Sequence, residues 1–196
     1  NFSIQHQHRY INWICYFCLL THNHAPDYCE RKKNKRNYFK NEGEEMKITL
    51  ISSTGGHWAQ LLQLQKVISE EKHVELNLIT EKNRTNSSMD CSFLLQQDRK
   101  NIFFPIIFLI NIIKSLYFVI TVRPKYVIST GAGSVIPYLF FAKLLGSKVI
   151  YIESFAKVNS PTITGRIVYK FADHFFVQWE NMLKFYPNAL YKGSLY

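Results

Sequence analysis

The hydrophobic pattern of the chain changes at Met46. Residues 1–45 show no sustained strand or helix period and mix polar clusters with one short apolar patch. From Met46 onward, short and nearly continuous apolar runs are typical of strands that are covered on both faces of a sheet. These runs predict strands at residues 47–52, 74–80, 126–129, 148–152, 174–177 and 189–192.

Helical patterns separate these strands. The best defined covers residues 58–69, with apolar side chains at Leu61, Leu62, Leu64 and Ile68 on one face. Further helices are predicted at residues 135–145, 163–171 and 180–186, and a polar loop at residues 81–101. This alternation predicts an α/β fold, a Rossmann-like doubly wound parallel sheet. Such sheets bind ligands at the carboxyl ends of their strands, where the strand order reverses.

A different pattern covers Ile102–Val122, a largely apolar segment with one charge, Lys114, and one strongly polar residue in its interior, Asn111. The segment is long enough to cross a bilayer. Spanning would place the two halves of one sheet on opposite sides of the membrane, which argues against it. An interfacial helix with its apolar side in the bilayer fits better, and a buried core helix is the alternative that stays open.

Residues 1–45 are expected not to belong to the folded domain, which we place at residues 46–196. The stretch Lys-Asn-Glu-Gly-Glu-Glu before Met46 has codons built almost wholly of purines, as a translated ribosome-binding site would. We therefore expect residues 1–45 to be upstream read-through. Cys15, Cys18 and His22 have the side-chain types of zinc ligands, but the gap from Cys18 to His22 is too short for the usual arrangement, so no metal is expected.

Composition narrows the choice of partners. The chain has a formal net charge of +10 and 47% hydrophobic residues. A basic protein attracts phosphates, but no Lys/Arg block with interleaved aromatics follows residue 45, so nucleic acid is not expected as a partner. A basic surface beside an apolar one suits a membrane better. Within the predicted domain the single cysteine is Cys91, which fits a reducing cytoplasm.

Two glycine-containing loops follow predicted strands. The residues concerned are Thr54, Gly55, Gly56 and His57 in the first loop and Thr130, Gly131, Gly133 and Ser134 in the second. Glycines let the backbone approach a ligand closely, and a helix N-terminus attracts phosphate. We therefore predict that these loops bind substrate. A tight turn without a ligand is the alternative for either loop alone, as is a purely structural role for His57.

The loops do not match a dinucleotide site. They depart from the G-x-G-x-x-G pattern, and Thr80 stands where a ribose-binding acid would be expected, so no dinucleotide cofactor is predicted. Glu153 begins the loop after the strand at residues 148–152. At that sheet edge a carboxylate can accept hydrogen bonds from sugar or acceptor hydroxyls, and a cap on the loop or a helix is the alternative.

Several motifs together resemble a known family. They are Gly55-Gly56-His57, Val-Ile-Ser-Thr-Gly-Ala-Gly-Ser-Val-Ile-Pro at residues 127–137, Tyr-Ile-Glu-Ser-Phe-Ala at residues 151–156, Phe-Val-Gln-Trp-Glu at residues 176–180 and Gly-Ser-Leu-Tyr at residues 193–196. The chain resembles bacterial capsule and exopolysaccharide proteins described as enhancer subunits of β-1,4-galactosyltransferases. These proteins are similar to the membrane-recruiting subunit of the eukaryotic two-part N-acetylglucosaminyltransferase of lipid-linked oligosaccharide synthesis. The resemblance covers essentially all of residues 46–196.

This resemblance implies one half of a GT-B glycosyltransferase. The chain would be the N-terminal Rossmann-like half, which holds a lipid-linked saccharide acceptor and attaches peripherally to the cytoplasmic face of the plasma membrane. A separate C-terminal-half subunit would bind most of the UDP-sugar donor. Glycine loops and a loop glutamate of this kind are implied to carry the site, with His57 and Glu153 as candidate catalytic residues. A self-sufficient small transferase and a non-catalytic membrane adaptor are the alternatives.

The C-terminal tail is predicted to be the dock for the donor-binding partner. Its candidate interface residues are Tyr191, Gly193, Leu195 and Tyr196. Residues 185–196 hold four aromatics and no acid, and aromatic anchors are favoured at the centres of protein interfaces. The alternative is that these aromatics cover the sheet edge of their own domain.

Overall fold

The structure, a computed structural model, describes residues 45–70, 73–82, 91–98 and 100–195. Most of the predicted read-through segment, residues 1–44, and Tyr196 lie outside the described residues. The described strands form one seven-stranded parallel sheet in the order β3-β2-β1-β4-β5-β6-β7. They are β1 (Met46–Ser52), β2 (Val74–Glu81), β3 (Ser92–Leu94), β4 (Tyr126–Gly131), β5 (Lys148–Ile152), β6 (His174–Val177) and β7 (Leu190–Tyr191). The predicted Rossmann-like fold is confirmed, and the order reverses between β1 and β4.

Helices cover both faces of this sheet. They are α1 (Gly56–Ile68), α2 (Phe104–Val122), α3 (Ile136–Leu144) and α4 (Ile163–Val168), with 3₁₀ turns at Gly133–Val135 and Glu180–Lys184. Ile48, Leu50 and Ile128 pack on one face with Leu61 of α1. Alternate strand residues such as Ile51 pack on the other face with side chains of α2, α3 and α4. Because both faces are buried, the strands have the continuous apolar runs seen in the sequence.

Some elements differ from their predicted bounds. β3 lies inside the predicted polar loop and was not predicted, because three residues are too few to show a period. It pairs with the end of β2, with Ile79 opposite Ser92. α4 ends at Val168 rather than residue 171, because the Phe171 N–H bonds back only three residues, to the Val168 carbonyl, as in a 3₁₀ turn.

α2 has its polar side inside and its apolar side outside. Its buried residues are Asn111, Ser115 and Val119. The Asn111 side chain accepts a hydrogen bond from the Leu95 N–H and donates one to the Leu95 carbonyl, both at 2.8 Å. In length and composition α2 is the one helix of the described chain that could cross a membrane. The predicted alternative of a buried core helix is wrong, because Val119 is the one apolar side chain of α2 that is buried.

Candidate functional site

The loops after β1 and β4 meet where the strand order reverses. Ser52 of β1 lies opposite Gly131 of β4, and the Ser53 N–H donates to the Gly131 carbonyl at 3.1 Å. His57 Nδ1 lies 2.6 Å from the Thr130 carbonyl oxygen, and Thr130 Oγ1 donates to the His57 carbonyl at 2.8 Å. The two predicted glycine loops are therefore bonded to each other through His57 and Thr130.

The contact with Thr130 orients the His57 ring. A carbonyl oxygen can only accept, so Nδ1 carries the hydrogen in this contact. In the neutral ring Nε2 then holds the free lone pair. His57 is half-buried in the first turn of α1. A ring held in this way can accept a proton or a hydroxyl hydrogen bond at Nε2.

Gly131 is the point at which the two glycine loops and β5 approach each other. Its φ of +115° lies in a region that side-chain-bearing residues rarely adopt. A Cβ at this position would lie 3.0 Å from His57 Cε1 and 3.2 Å from Tyr151 Oη. The glycine therefore lets His57, from the first loop, and Tyr151, from β5, pack against the same stretch of backbone.

The other predicted substrate-binding residues lie along the same edge. Gly55 and Gly56 are exposed, Thr54 and Gly133 are half-buried, and Thr130 and Ser134 are buried. Ser134 Oγ has no hydrogen-bond partner among the described residues. α1 has no acidic residue in its first turn, so no acid of the helix start offsets the positive end of its dipole at this edge. Nowhere in the described ranges do three His, Cys, Asp or Glu residues gather to hold a metal ion.

Glu153 points into the protein rather than toward the sheet edge. Its side chain is 1% exposed. The carboxylate accepts hydrogen bonds from the Ser154 N–H at 2.8 Å, the Thr162 hydroxyl at 2.9 Å and the Tyr186 hydroxyl at 2.7 Å. A buried carboxylate needs several donors of this kind to offset its lost hydration. Its predicted contact with an acceptor stays a prediction, and in this arrangement it holds the loop after β5 in place.

The same network fixes the start of α4. Thr162 is the N-cap of α4, and its hydroxyl accepts from the Gly165 N–H at 2.7 Å. A Cβ at Gly165 would overlap Glu153 Oε2 and would lie 2.5 Å from Tyr186 Oη. Sequence reasoning missed Thr162, Gly165 and Tyr186. A threonine directly before a helical run is a recognisable N-cap signal, but nothing local marks Tyr186 as a partner of Glu153.

Two buried tyrosines belong to this network. Burial raises the pKa of the Tyr151 hydroxyl well above its ordinary value, and the nearby Glu153 carboxylate raises it further. Burial raises the pKa of Tyr186 as well, with an added effect from its hydrogen bond to Glu153. Both hydroxyls therefore stay protonated near neutral pH and remain hydrogen-bond donors.

The C-terminal tail is partly buried in its own domain. Tyr191 is 41% exposed, but Leu195 is 2% exposed and belongs to the same core as Leu61 of α1. The Leu195 N–H donates to Gln178 Oε1 at 2.9 Å, and Gln178 Nε2 donates to the Glu153 carbonyl at 2.9 Å. The tail is therefore not bare at Leu195, whose apolar side chain completes the core. Tyr191 supplies the exposed aromatic surface, Gly193 is half-buried, and Tyr196 lies outside the described residues.

Solved structures share this fold. MurG of Acinetobacter baumannii matches with a TM-score of 0.56 and 17% sequence identity, over 69% of this chain and 42% of that one. UDP-N-acetylglucosamine 2-epimerase from Rickettsia bellii matches with a TM-score of 0.58 and 12% identity, over 78% of this chain and 46% of that one. These likenesses show a Rossmann-like α/β domain of the type found in GT-B proteins.

Sequence comparison finds a similarity between one part of the chain and a known family. Residues 101–195 match the family described as "Oligosaccharide biosynthesis protein Alg14 like". The UDP-N-acetylglucosamine transferase subunit ALG14 of Candida albicans is 39% identical over 79 residues, which are 37% of this chain and 36% of that protein. The human subunit of the same name is 35% identical over 80 residues, 38% of this chain and 37% of that protein. The chain thus spans little more than a third of the length of these curated relatives.

Proposed function

We propose that this chain is the acceptor-binding, membrane-associating subunit of a two-chain UDP-sugar glycosyltransferase that acts on a lipid-linked saccharide. The joined pair of glycine loops at the switch point, with His57 held by the Thr130 carbonyl, is the observation that carries the proposal. The dipole of α1 attracts phosphate at this edge, and His57 Nε2 can accept a hydroxyl hydrogen. The exposed apolar side of α2 belongs to the same domain, which suits an acceptor that is itself anchored in lipid.

In this proposal a donor-binding partner supplies the rest of the active site. A GT-B enzyme uses two Rossmann-like domains that face each other, and the described residues form one. We assign most UDP-sugar contacts to the partner and the acceptor contacts to the two glycine loops. The names of the curated relatives support N-acetylglucosamine as the donor sugar, and the resemblance to enhancer subunits implies galactose instead.

The proposed setting is the cytoplasmic face of a membrane. The relatives reported above are fungal and human, so a bacterial capsule or exopolysaccharide setting rests on the motif resemblance alone and stays a prediction. Peripheral attachment through α2 is supported by its exposed apolar side and by the Asn111 side chain, which binds its other side to the domain.

The proposal is tested by sugar transfer in membranes of cells that carry this chain. Tritium-labelled UDP-N-acetylglucosamine and UDP-galactose are supplied separately, and labelled lipid-linked saccharide is measured with the chain present, depleted and added back. We expect depletion to remove transfer of one sugar, add-back to restore it, and the purified chain alone to be inactive. Transfer by the purified chain would show a self-sufficient enzyme. Full transfer after depletion would overturn the proposal. If the isolated partner were fully active in detergent, this chain would instead be a non-catalytic membrane adaptor.

Replacement of His57 should affect turnover more than stability. His57→Ala and His57→Gln are expected to lower transfer by the complex at least about tenfold, the range typical of lost acid–base help. The half-buried bond to Thr130 contributes only about 1 kcal/mol, so the thermal midpoint should fall by no more than about 4 °C. Gln can still donate to the Thr130 carbonyl but cannot take up a proton. Wild-type transfer by His57→Gln would therefore assign His57 a hydrogen-bonding role only.

Cell fractionation should place the protein in the membrane fraction. An interfacial helix is bound by its apolar face rather than by a membrane crossing, so detergent or alkaline carbonate is expected to release the protein. Release by carbonate with the protein still folded, measured by circular dichroism, supports peripheral attachment. Recovery in the soluble fraction without detergent would contradict the membrane role of α2.

Tyr191 provides a clean test of partner docking, because its side chain is exposed and its loss should leave the domain folded. Tyr191→Asp is expected to weaken co-purification with the donor-binding partner at least about tenfold, as loss of an aromatic anchor does. Tyr117 is also exposed but lies on α2, away from the tail in sequence, so Tyr117→Asp is the control. This variant should leave complex formation in detergent unchanged. Truncation after Lys192 is less clean, since it removes the buried Leu195. Equal affinities of the two variants would contradict docking at the tail.

A further inference from the structure

The exposed apolar surface of the domain extends beyond α2. Ile113 on α2, Leu144 on α3 and Ile163 on α4 are 62%, 66% and 59% exposed. All three helices cover the same face of the sheet, since Val119, Leu139 and Val168 enter one core cluster. α2 packs beside α3. Phe140 of α3 packs edge-to-face on Phe171, just after α4, with the ring centroids 6.1 Å apart. The outward sides of the three helices therefore form one continuous apolar face.

Each helix contributes a stripe at helical spacing. Phe140 and Leu144 are four residues apart on α3, and Ile163 and Ile167 are four apart on α4, so each pair lies on one side of its helix. A soluble domain rarely leaves a continuous apolar surface of this extent uncovered. This face therefore needs an occupant.

The charge pattern identifies the occupant. Between Asn101 and Ala172 the sequence holds one acid, Glu153, and it is buried. The same stretch exposes cations at Arg123 and Lys125, just after α2, and at Arg166 and Lys170, in and just after α4. Cations at the rim of an apolar face, with no exposed acid among them, complement the negative headgroups of a bilayer.

We infer that the outer surfaces of α2, α3 and α4 form a single face that lies flat on an anionic bilayer, with α2 in the plane of the membrane. This rests on the proposed function for the membrane association and extends it to α3 and α4. The bonds from Asn111 to Leu95 hold α2 against the residue that follows β3, so α2 stays part of the domain while its other side enters the lipid. The sheet then lies parallel to the membrane surface, above the three helices.

The inference is tested by sedimentation of the full chain with vesicles, without donor or partner. The vesicles contain either phosphatidylcholine alone or phosphatidylcholine with phosphatidylglycerol. Ile163→Glu and Leu144→Glu each place an acid on the proposed face. Ala59→Glu and Ser69→Glu place the same charge at exposed positions on or next to α1, which covers the opposite face of the sheet. Ala59→Glu, near a helix start, is the control for Ile163→Glu. Ser69→Glu, at a helix end, is the control for Leu144→Glu.

We expect the wild-type chain to prefer the anionic vesicles, and Ile163→Glu and Leu144→Glu to bind them at least about tenfold more weakly than their matched controls. The inference would be overturned if all four variants bound the vesicles equally, or if the wild-type chain did not bind them. Protection of one half of the chain from external protease would also overturn it. Transfer by the complex in detergent separates the two proposals. Variants that fail to bind vesicles should still transfer sugar there, whereas loss of transfer with normal vesicle binding would count against the proposed function.

Discussion

Replacement of Glu153 by glutamine is expected to lower the thermal midpoint by about 5–10 °C, since two or three kcal/mol correspond to a shift of this size in a chain of this length. The carboxylate accepts from the Ser154 N–H and from the hydroxyls of Thr162 and Tyr186. An amide in its place would set its NH₂ group against some of these donors. Each buried polar group that loses its partner costs about 1–3 kcal/mol.

Glu180→Gln is the matched control for this substitution. Glu180 is exposed in the 3₁₀ turn after β6, so its replacement should change the free energy of unfolding by less than about 0.5 kcal/mol. Differential scanning calorimetry of both variants measures the difference. An unchanged midpoint for Glu153→Gln, together with a strongly reduced transfer rate, would mean that the carboxylate reaches the substrate, and would contradict the positioning role described above.

Substitution of Gly131 by alanine is expected to damage both the fold and the site. The φ of +115° alone costs a side-chain-bearing residue about 1–3 kcal/mol. The new Cβ would also press on His57 Cε1 at 3.0 Å and on Tyr151 Oη at 3.2 Å. A displaced His57 would lose its contact with Thr130, so we expect transfer by the complex to fall at least about tenfold.

Gly146→Ala separates backbone strain from crowding. Gly146 also has a positive φ, +89°, but a Cβ there would meet nothing within 4 Å. Both variants should lose stability in thermal unfolding, and only Gly131→Ala should lose transfer by the complex, measured with saturating donor. Similar transfer rates for the two variants would show that the position of His57 does not depend on Gly131.

The sequence predicted the fold well because most of its strands are nearly continuous apolar runs. β5 and β6 have the predicted bounds, and the loops after β1 and β4 meet as the predicted sheet requires. β3 was missed because Ser92–Leu94 is too short to show a period, although it forms one edge of the sheet. Strands such as β5 and β6 are recognisable from their own apolar pattern, whereas β3 is a strand because it pairs with β2.

The direction of the Glu153 side chain could not be read from its position. Its place after a strand correctly predicts the carboxyl edge of the sheet, but the donors that turn it inward are Thr162 and Tyr186, 9 and 33 residues further along the chain. Leu195 is a similar case, because its burial depends on Gln178 and on the core beside α1. Burial of a loop or tail residue depends on tertiary contacts that no periodicity reveals.

The Gln178 side chain connects the loop after β5 to the C-terminal tail inside the domain. One amide group donates to the Glu153 carbonyl and accepts from the Leu195 N–H, so the start of the loop after β5 and the tail are bonded to the same side chain. Linkage between two binding sites is reciprocal. If a ligand at the loop after β5 strengthens binding at the tail by some factor, binding at the tail must strengthen binding of that ligand by the same factor. Loss of the Gln178 amide would remove the bonded link between the two segments.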